Sequence, residues 1–233
     1  MLLLAVQPAL ADKGDYVVLL HGIGRTAATM TSLQRSLEKH GYTVLNLDYP
    51  SRKYTIEALA LRLKPKIEEF NAGNGNKIHF VGYSMGGLVI QSFLAKYRPD
   101  NLGRVVVMAT PNEGSEVADA LNARFVYRSF FGPAGGQLTT EHRTAGLEVP
   151  EIDYDLGCIA GDRTVDPISS YILINGPDDG KVSVKSATGV KGAKDHIVVH
   201  ASHTFINMNS DAIKQTRYFL EHGKFRRAKA LTP

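Results

Sequence analysis

The chain has one cysteine, Cys158, among 233 residues. A single thiol excludes an intramolecular disulfide and the paired cysteines of a zinc ribbon or finger. It neither requires nor forbids an oxidising compartment. Cys158 sits in an apolar stretch, which predicts a packing role. Charge of one sign is also scarce. There are 27 basic and 23 acidic side chains, a net charge of +4, too mild a balance for a nucleic-acid partner. No apolar run approaches the length of a membrane span, which leaves at most a peripheral contact with a lipid surface. There is no phosphate-cradling glycine loop and no metal-ligand spacing, so no cofactor and no metal is expected.

The most informative stretch runs from Lys77 to Ile90. It reads as an apolar strand, then Gly82-Tyr83-Ser84-Met85-Gly86, then an apolar helix. Gly-x-Ser-x-Gly between a strand and a helix is a nucleophile elbow, a turn sharp enough to leave the serine hydroxyl exposed at its tip. A Cβ at Gly82 or Gly86 would collide where the strand doubles back, and glycine also accepts a positive φ. Ser84 would stand where free helix amides favour developing negative charge. The plainer alternative is Ser84 as an ordinary helix cap.

A second motif lies upstream. Residues 17–20 form a short buried-strand run ending in His21-Gly22-Ile23-Gly24. A glycine-rich turn leaving a strand can aim backbone amides at a developing oxyanion. The expected donors are the amides of Ile23 and Met85. His21 is expected to shape this loop without carrying a proton.

A serine nucleophile in this architecture requires an acid and then a histidine downstream. His203 lies in a loop after the last expected strand and is the first candidate; His200, at the end of that strand, is the second. His196 opens the strand at the wrong end, and His142 and His222 read as solvated. For the acid, Asp162 and Asp166 follow the apolar stretch 156–161, and Asp178 and Asp179 precede Gly180. The orienting carboxylate needs a rigid, partly buried perch. Asp179 meets that need best, and Asp162 is its rival.

Strand and helix signals alternate along the chain, which predicts an α/β fold with a parallel sheet covered on both faces. Strands are expected at 17–20, 43–47, 78–81, 105–109, 156–160 and 197–199. Helices are expected at 30–40, 56–70, 85–97 and 212–222, with Gly41 ending the first and Pro65 kinking or splitting the second. Residues 112–150 break the alternation. A connection this long is usually functional. The spacing of Val117, Leu121 and Phe125 predicts one helix with an apolar face. With Val126, Tyr127, Phe130 and Phe131, followed by a Gly-Pro-Ala-Gly-Gly hinge, it predicts a cap or lid over the serine. Phe130 and Phe131 would line an acyl-chain site.

The termini differ from the body. Residues 1–11 are apolar and end in Ala9-Leu10-Ala11, the small residues a signal peptidase reads. They predict the remnant of a secretory signal ending before Asp12, although no positive n-region precedes it. The protein would then be secreted or periplasmic, with residues 12–233 forming a single domain. Without a signal it would be cytoplasmic. Lys224, Arg226, Arg227 and Lys229 hold much of the excess charge and read as a solvated tail.

Taken together, His21-Gly22-Ile23-Gly24, Gly82 to Gly87, Ala109-Thr110-Pro111-Asn112-Glu113-Gly114-Ser115, Asp179-Gly180-Lys181-Val182-Ser183 and His203 resemble the α/β-hydrolases, most of all the small bacterial lipases and esterases. The resemblance implies an α/β-hydrolase fold with a mostly parallel sheet and a short cap. It implies a catalytic set of Ser84, Asp179 and His203, with Ile23 and Met85 as the oxyanion hole. In lipases of this type the acid sits in an Asp-Gly-x-Val segment with the histidine further on, as Asp179 and His203 do. The residues after His203 are Thr-Phe, not the acidic stretch of calcium-dependent members, so no calcium site is carried over. The expected activity is hydrolysis of a small-molecule or lipid ester. The same machinery would serve a thioesterase or an acyltransferase, and a non-catalytic binding protein on this fold is the remaining alternative.

Overall fold

The computed structural model describes residues 14–73, 75–122, 125–144, 152–165 and 167–227. The expected leader at 1–11, the end of the insertion at 145–150, Asp166 and Lys229 lie outside these residues, as do the side chains of Phe125, Val126 and Tyr127.

Six strands, β1 (Tyr16–Leu20), β2 (Thr43–Leu47), β3 (Ile78–Tyr83), β4 (Leu102–Met108), β5 (Leu156–Gly161) and β6 (Asp195–Val199), form one sheet in the order β2-β1-β3-β4-β5-β6. Every pairing is parallel. The central strands read as continuous apolar runs because both faces are covered. Val18, Leu20, Phe80, Val105 and Val107 face one core. Val17, Leu19, Val81, Val106 and Ile159 face the other. Cys158 is fully buried in β5, and burial pushes its thiol up to about 12.

The first core is closed by α2 (Ile56–Asn71) and α3 (Met85–Tyr97), the second by α1 (Thr31–Glu38) and α9 (Ser210–His222). Burying a side chain such as Phe80 or Phe93 contributes about 2–3 kcal/mol. The helix α2 is not split at Pro65. Pro65 and Leu61 are both exposed, so the carbonyl that Pro65 cannot serve lies on the solvent side, where water replaces the lost donor.

The insertion differs from expectation. The single predicted helix is two, α4 (Glu116–Asn122) and α5 (Phe125–Gly136), followed by α6 (Thr140–Thr144). The Gly-Pro-Ala-Gly-Gly stretch falls within α5, where two helical pieces meet at a kink at Gly132 (φ 63°). A Cβ at Gly132 would lie 1.8 Å from the Arg52 carbonyl oxygen. Ala134 is buried, and the Gln137 side chain accepts from the Ile56 amide at 2.7 Å. The positive φ and the close approach both require glycine at 132. The remaining helices are α7 (Pro167–Leu173) and α8 (Val184–Thr188). The basic tail is not simply solvated: Arg227 makes a two-pronged ion pair with Asp195 on β6.

The order β2-β1-β3 means that the connections leaving β1 and β3 diverge in opposite directions. Such a switch point opens a crevice at the carboxyl ends of the strands. The His21–Gly24 turn follows β1 there, and Ser84 follows β3.

Candidate active site

Ser84 carries the strain that the elbow requires. Its φ and ψ are 54° and −128°, a conformation that costs on the order of 1–3 kcal/mol and persists only when its surroundings enforce it. Those surroundings are specific. The Ser84 amide donates to Met108 O at 2.8 Å, and Ser84 O accepts from the Gly87 amide and the Thr110 hydroxyl. The flanking glycines have ordinary φ values; space is their reason. A Cβ on Gly82 would fall 2.5 Å from Gly87, and one on Gly86 would fall 2.3 Å from Leu20 O. Among the described residues the other non-glycine residue with positive φ is Ala109 (φ 50°), and β4 stops just before it, one residue short of its expected limit. No sequence pattern marks it.

The serine is not an ordinary cap. Its side chain bonds no helix amide. Ser84 Oγ lies 3.1 Å from His203 Nε2, and His203 Nδ1 lies 2.8 Å from Asp179 Oδ2. All three residues are buried. Asp179 is held on every side: Oδ1 accepts from the Lys181 and Val182 amides at 3.0 and 2.8 Å, and its carbonyl accepts from the His203 amide at 2.8 Å. With Oδ2 beside the ring, Nδ1 is the protonated nitrogen and Nε2 is free to accept from the serine. Tyr83 donates to His203 O at 2.8 Å. Burial pushes the Tyr83 phenol upward, opposed by the nearby charge of Arg25.

The other candidates go elsewhere. Asp162 and His200 pair with each other on the surface. Asp178 turns away to Ser170 and the Gly180 amide. His196 is exposed at the far end of β6, while His142 and His222 are half-buried, not solvated; His222 stacks on Tyr218.

The loop after β1 closes on the elbow. A Cβ at Gly22 would touch the Ser84 and Tyr83 side chains at 3.1 Å. His21 is buried, stacks on Tyr49 and approaches Gly22 O through Nδ1 at 2.8 Å. Burial holds its pKa below the usual histidine value, with Gly22 and Asp48 opposing. A buried ring stacked on Tyr49, with Nδ1 at Gly22 O and Nε2 3.2 Å from Asp48, shapes the turn. Among the described residues, neither the Ile23 nor the Met85 amide has a hydrogen-bond acceptor within the protein.

Above Ser84 opens a cavity of about 400 Å³. Val117, Leu121, Phe130, Phe131 and Leu138 supply an apolar wall. Phe130 stands edge-on to Phe131 at 4.9 Å and is half exposed, with the Arg52 guanidinium over its ring. The insertion therefore lies beside the serine. Its start is tied to the Asp179 loop through Ser115, whose hydroxyl donates to Lys181 O at 2.7 Å. Two cations, Arg25 and Lys181, also line the cavity; residue type and spacing alone had not singled them out, nor Thr110. Among the described residues no group of three or more His, Cys, Asp or Glu side chains is arranged to hold a metal ion. A hydroxyl beside an imidazole that a carboxylate orients is the arrangement of nucleophilic acyl transfer.

No curated protein matches the sequence. Solved structures match its fold. One is the mature Bacillus licheniformis lipase BlEst2, with a TM-score of 0.76 and 21% identity over 93% of this chain and 95% of that one. Another is the lin2722 product of Listeria innocua, with a TM-score of 0.64 and 18% identity over 92% and 96%. A third is the metagenomic carboxyl esterase MGS0156, with a TM-score of 0.63 and 20% identity over 87% and 68%. At these identities the likeness is one of fold. The model of the alpha/beta hydrolase family matches residues 17–212, most of the chain, and this protein belongs to that family.

Proposed function

We propose that this protein hydrolyses carboxylic esters through an acyl-enzyme on Ser84. One observation carries the reading: an unbroken hydrogen-bonded line from Ser84 Oγ through His203 to the buried Asp179, at the floor of an apolar cavity. His203 Nε2 takes the serine proton as Oγ attacks the ester carbonyl. Asp179 holds the tautomer and stabilises the imidazolium that results. The carbonyl oxygen becomes an oxyanion and is held by the Ile23 and Met85 amides, which no protein acceptor occupies. His203 then protonates the departing alcohol. Water, activated by the same ring, releases the acid and restores the serine.

The cavity suits this chemistry. Its apolar wall of Val117, Leu121, Phe131 and Leu138 accepts an acyl chain, and its volume lies in the range of small-ligand sites. The neighbouring lipase and carboxyl esterase structures agree with an ester substrate at the level of fold.

The test is turnover of p-nitrophenyl butyrate and labelling by a fluorophosphonate. Wild-type protein should be labelled at Ser84 and cleave the ester; Ser84→Ala should lose both. Folded wild-type protein that takes no label is a binding protein on a hydrolase fold, and the proposal fails. Faster turnover of matched thioesters or amides than of esters would reassign the electrophile.

A further inference from the structure

Two cations line the cavity, and the mechanism above uses neither. Arg25 ends the turn that carries Ile23, and its amide donates to Gly22 O at 3.2 Å. Lys181 lies two residues beyond Asp179; its amide donates to Asp179 Oδ1 and its carbonyl accepts from Ser115. The Arg25 backbone is thus tied to the turn that carries Ile23, and the Lys181 backbone to Asp179. Both side chains face the cavity that holds Ser84 and His203.

These cations lack what the chain gives to others. Arg98 pairs with Asp153, Arg104 and Lys194 share Asp155, and Arg227 pairs with Asp195. Among the described residues neither Arg25 nor Lys181 forms an ion pair, although the Arg25 side chain hydrogen-bonds Tyr83, and no Asp or Glu side chain lines the cavity. The two charges feel each other: desolvation and the nearby Arg25 hold Lys181 below the usual lysine pKa, with Asp179 opposing. Both residues are exposed at the edge of a mostly apolar recess, and two like charges there focus a positive potential. Hydrolysis of a neutral ester needs no such field. The amides already hold the oxyanion, and His203 already moves the proton.

We propose that Arg25 and Lys181 form an anion-recognition subsite, and that the natural substrate is an apolar acyl ester carrying a carboxylate or phosphate group a few bonds from the scissile carbonyl. This rests on the ester-hydrolase reading. The acyl chain lies along Val117, Leu121 and Phe131, and the anion meets Arg25 and Lys181.

Two matched substrate pairs test it, followed by pH-stat. One pair is 3-butyryloxypropanoate and its neutral amide. The other is 1-butyrylglycerol 3-phosphate and 1-butyrylglycerol. The wild type should favour the charged member of at least one pair by roughly tenfold or more in kcat/KM, chiefly through KM, as for a hydrogen bond to a charged group. The favoured pair tells carboxylate from phosphate. The preference should shrink at high ionic strength. Arg25→Gln and Lys181→Gln should each move the charged-to-neutral ratio toward one, Lys181→Arg should keep it, and Lys39→Gln, an exposed cation on the far end of α1, should not change it. Fluorophosphonate labelling at Ser84 checks that each variant is folded. Equal turnover of charged and neutral members by the wild type overturns the subsite. So does a ratio that survives the Arg25→Gln/Lys181→Gln double variant, or turnover of p-nitrophenyl butyrate with neither pair cleaved. Failure on every ester, p-nitrophenyl butyrate included, overturns the ester-hydrolase reading itself, and the subsite with it.

Discussion

Among the described residues, two aspartate–histidine pairs at the carboxyl edge of the sheet meet through Nδ1. Asp179 meets His203 Nδ1 at 2.8 Å, and Asp162 meets His200 Nδ1 at 2.9 Å. By distance the two are nearly indistinguishable. Surroundings separate them. The Asp179 and His203 side chains are 1% and 8% exposed, those of Asp162 and His200 38% and 76%. Two backbone amides fix the Asp179 carboxylate, and a serine hydroxyl meets the far side of His203. Among the described residues His200 Nε2 has no partner. An exposed pair is worth at most about 1 kcal/mol and exchanges freely with water. A buried, backbone-anchored pair holds one tautomer in one orientation. A carboxylate and an imidazole in contact are therefore a site only where the fold immobilises them against a third group.

The comparison breaks most sharply at the histidines. His203→Ala should lower kcat for p-nitrophenyl butyrate by about 10⁴–10⁶-fold, because the serine loses its base. His200→Ala should leave kcat within about twofold, as expected for a surface change. Comparable losses in the two variants would show that the exposed pair takes part.

The carboxylates give the next largest contrast. In Asp179→Asn the amide oxygen would keep the Lys181 and Val182 donors and turn its NH₂ toward His203, imposing the wrong tautomer. The expected fall in kcat is about 10³–10⁴-fold. Asp162→Asn should be nearly silent. A large loss in Asp162→Asn with little in Asp179→Asn would exchange the roles assigned to the two acids.

These pairs also mark how far the amino-acid sequence could be read. The alternation of strands and helices, the elbow and the His-Gly-x-Gly turn were legible, because each is local and needs particular residue types in a particular order. Those patterns mark Ser84, Ile23 and Met85 as candidates, and His203 is a candidate from its place in the loop after the last strand. The acid was harder. Asp162, Asp178 and Asp179 all stand near turns, and only tertiary burial separates a carboxylate held by amides from one in solvent. Ala109 was illegible, since alanine gives no signal for a positive φ. Gly132 was legible only as a glycine beside a proline; the Arg52 carbonyl pressed against it, which with its positive φ excludes any side chain, comes from far along the chain. No sequence pattern links Arg25 with Lys181; only the folded cavity brings them together.

Gly161 lies at the junction of the two pairs and offers a smaller, two-sided test. It ends β5 immediately before Asp162. A Cβ there would fall 2.4 Å from Ala201 O and 3.0 Å from the Asp179 Cβ. Gly161→Ala must displace the strand end or the Asp179 side chain. Overpacking of this kind costs about 1–3 kcal/mol of stability. Since small misplacements of a catalytic group are expensive, kcat should fall by about 10–100-fold. Gly75→Ala, with nothing within 4 Å of the added carbon, should change stability by no more than about 0.5 kcal/mol. Urea denaturation and kcat together separate a shifted carboxylate from a merely weakened fold.

The smallest effect distinguishes holding the histidine from acting through it. Tyr83 donates to His203 O, not to the ring, and its own ring lies tilted 5.5 Å from the imidazole. Tyr83→Phe keeps the ring and removes one donor, leaving a buried carbonyl unsatisfied at a cost of about 1–3 kcal/mol. Most of that should appear as lost stability, because the Asp179 carbonyl still anchors the His203 amide at 2.8 Å. Turnover should fall only a few-fold, with the shape of its pH profile unchanged. His200 has no such backbone clamp among the described residues, so a modest loss in Tyr83→Phe would mean that side-chain burial and the Asp179 loop do most of the orienting. A loss as deep as that of Asp179→Asn would instead mean that the tyrosine hydroxyl is what separates the working pair from its surface twin.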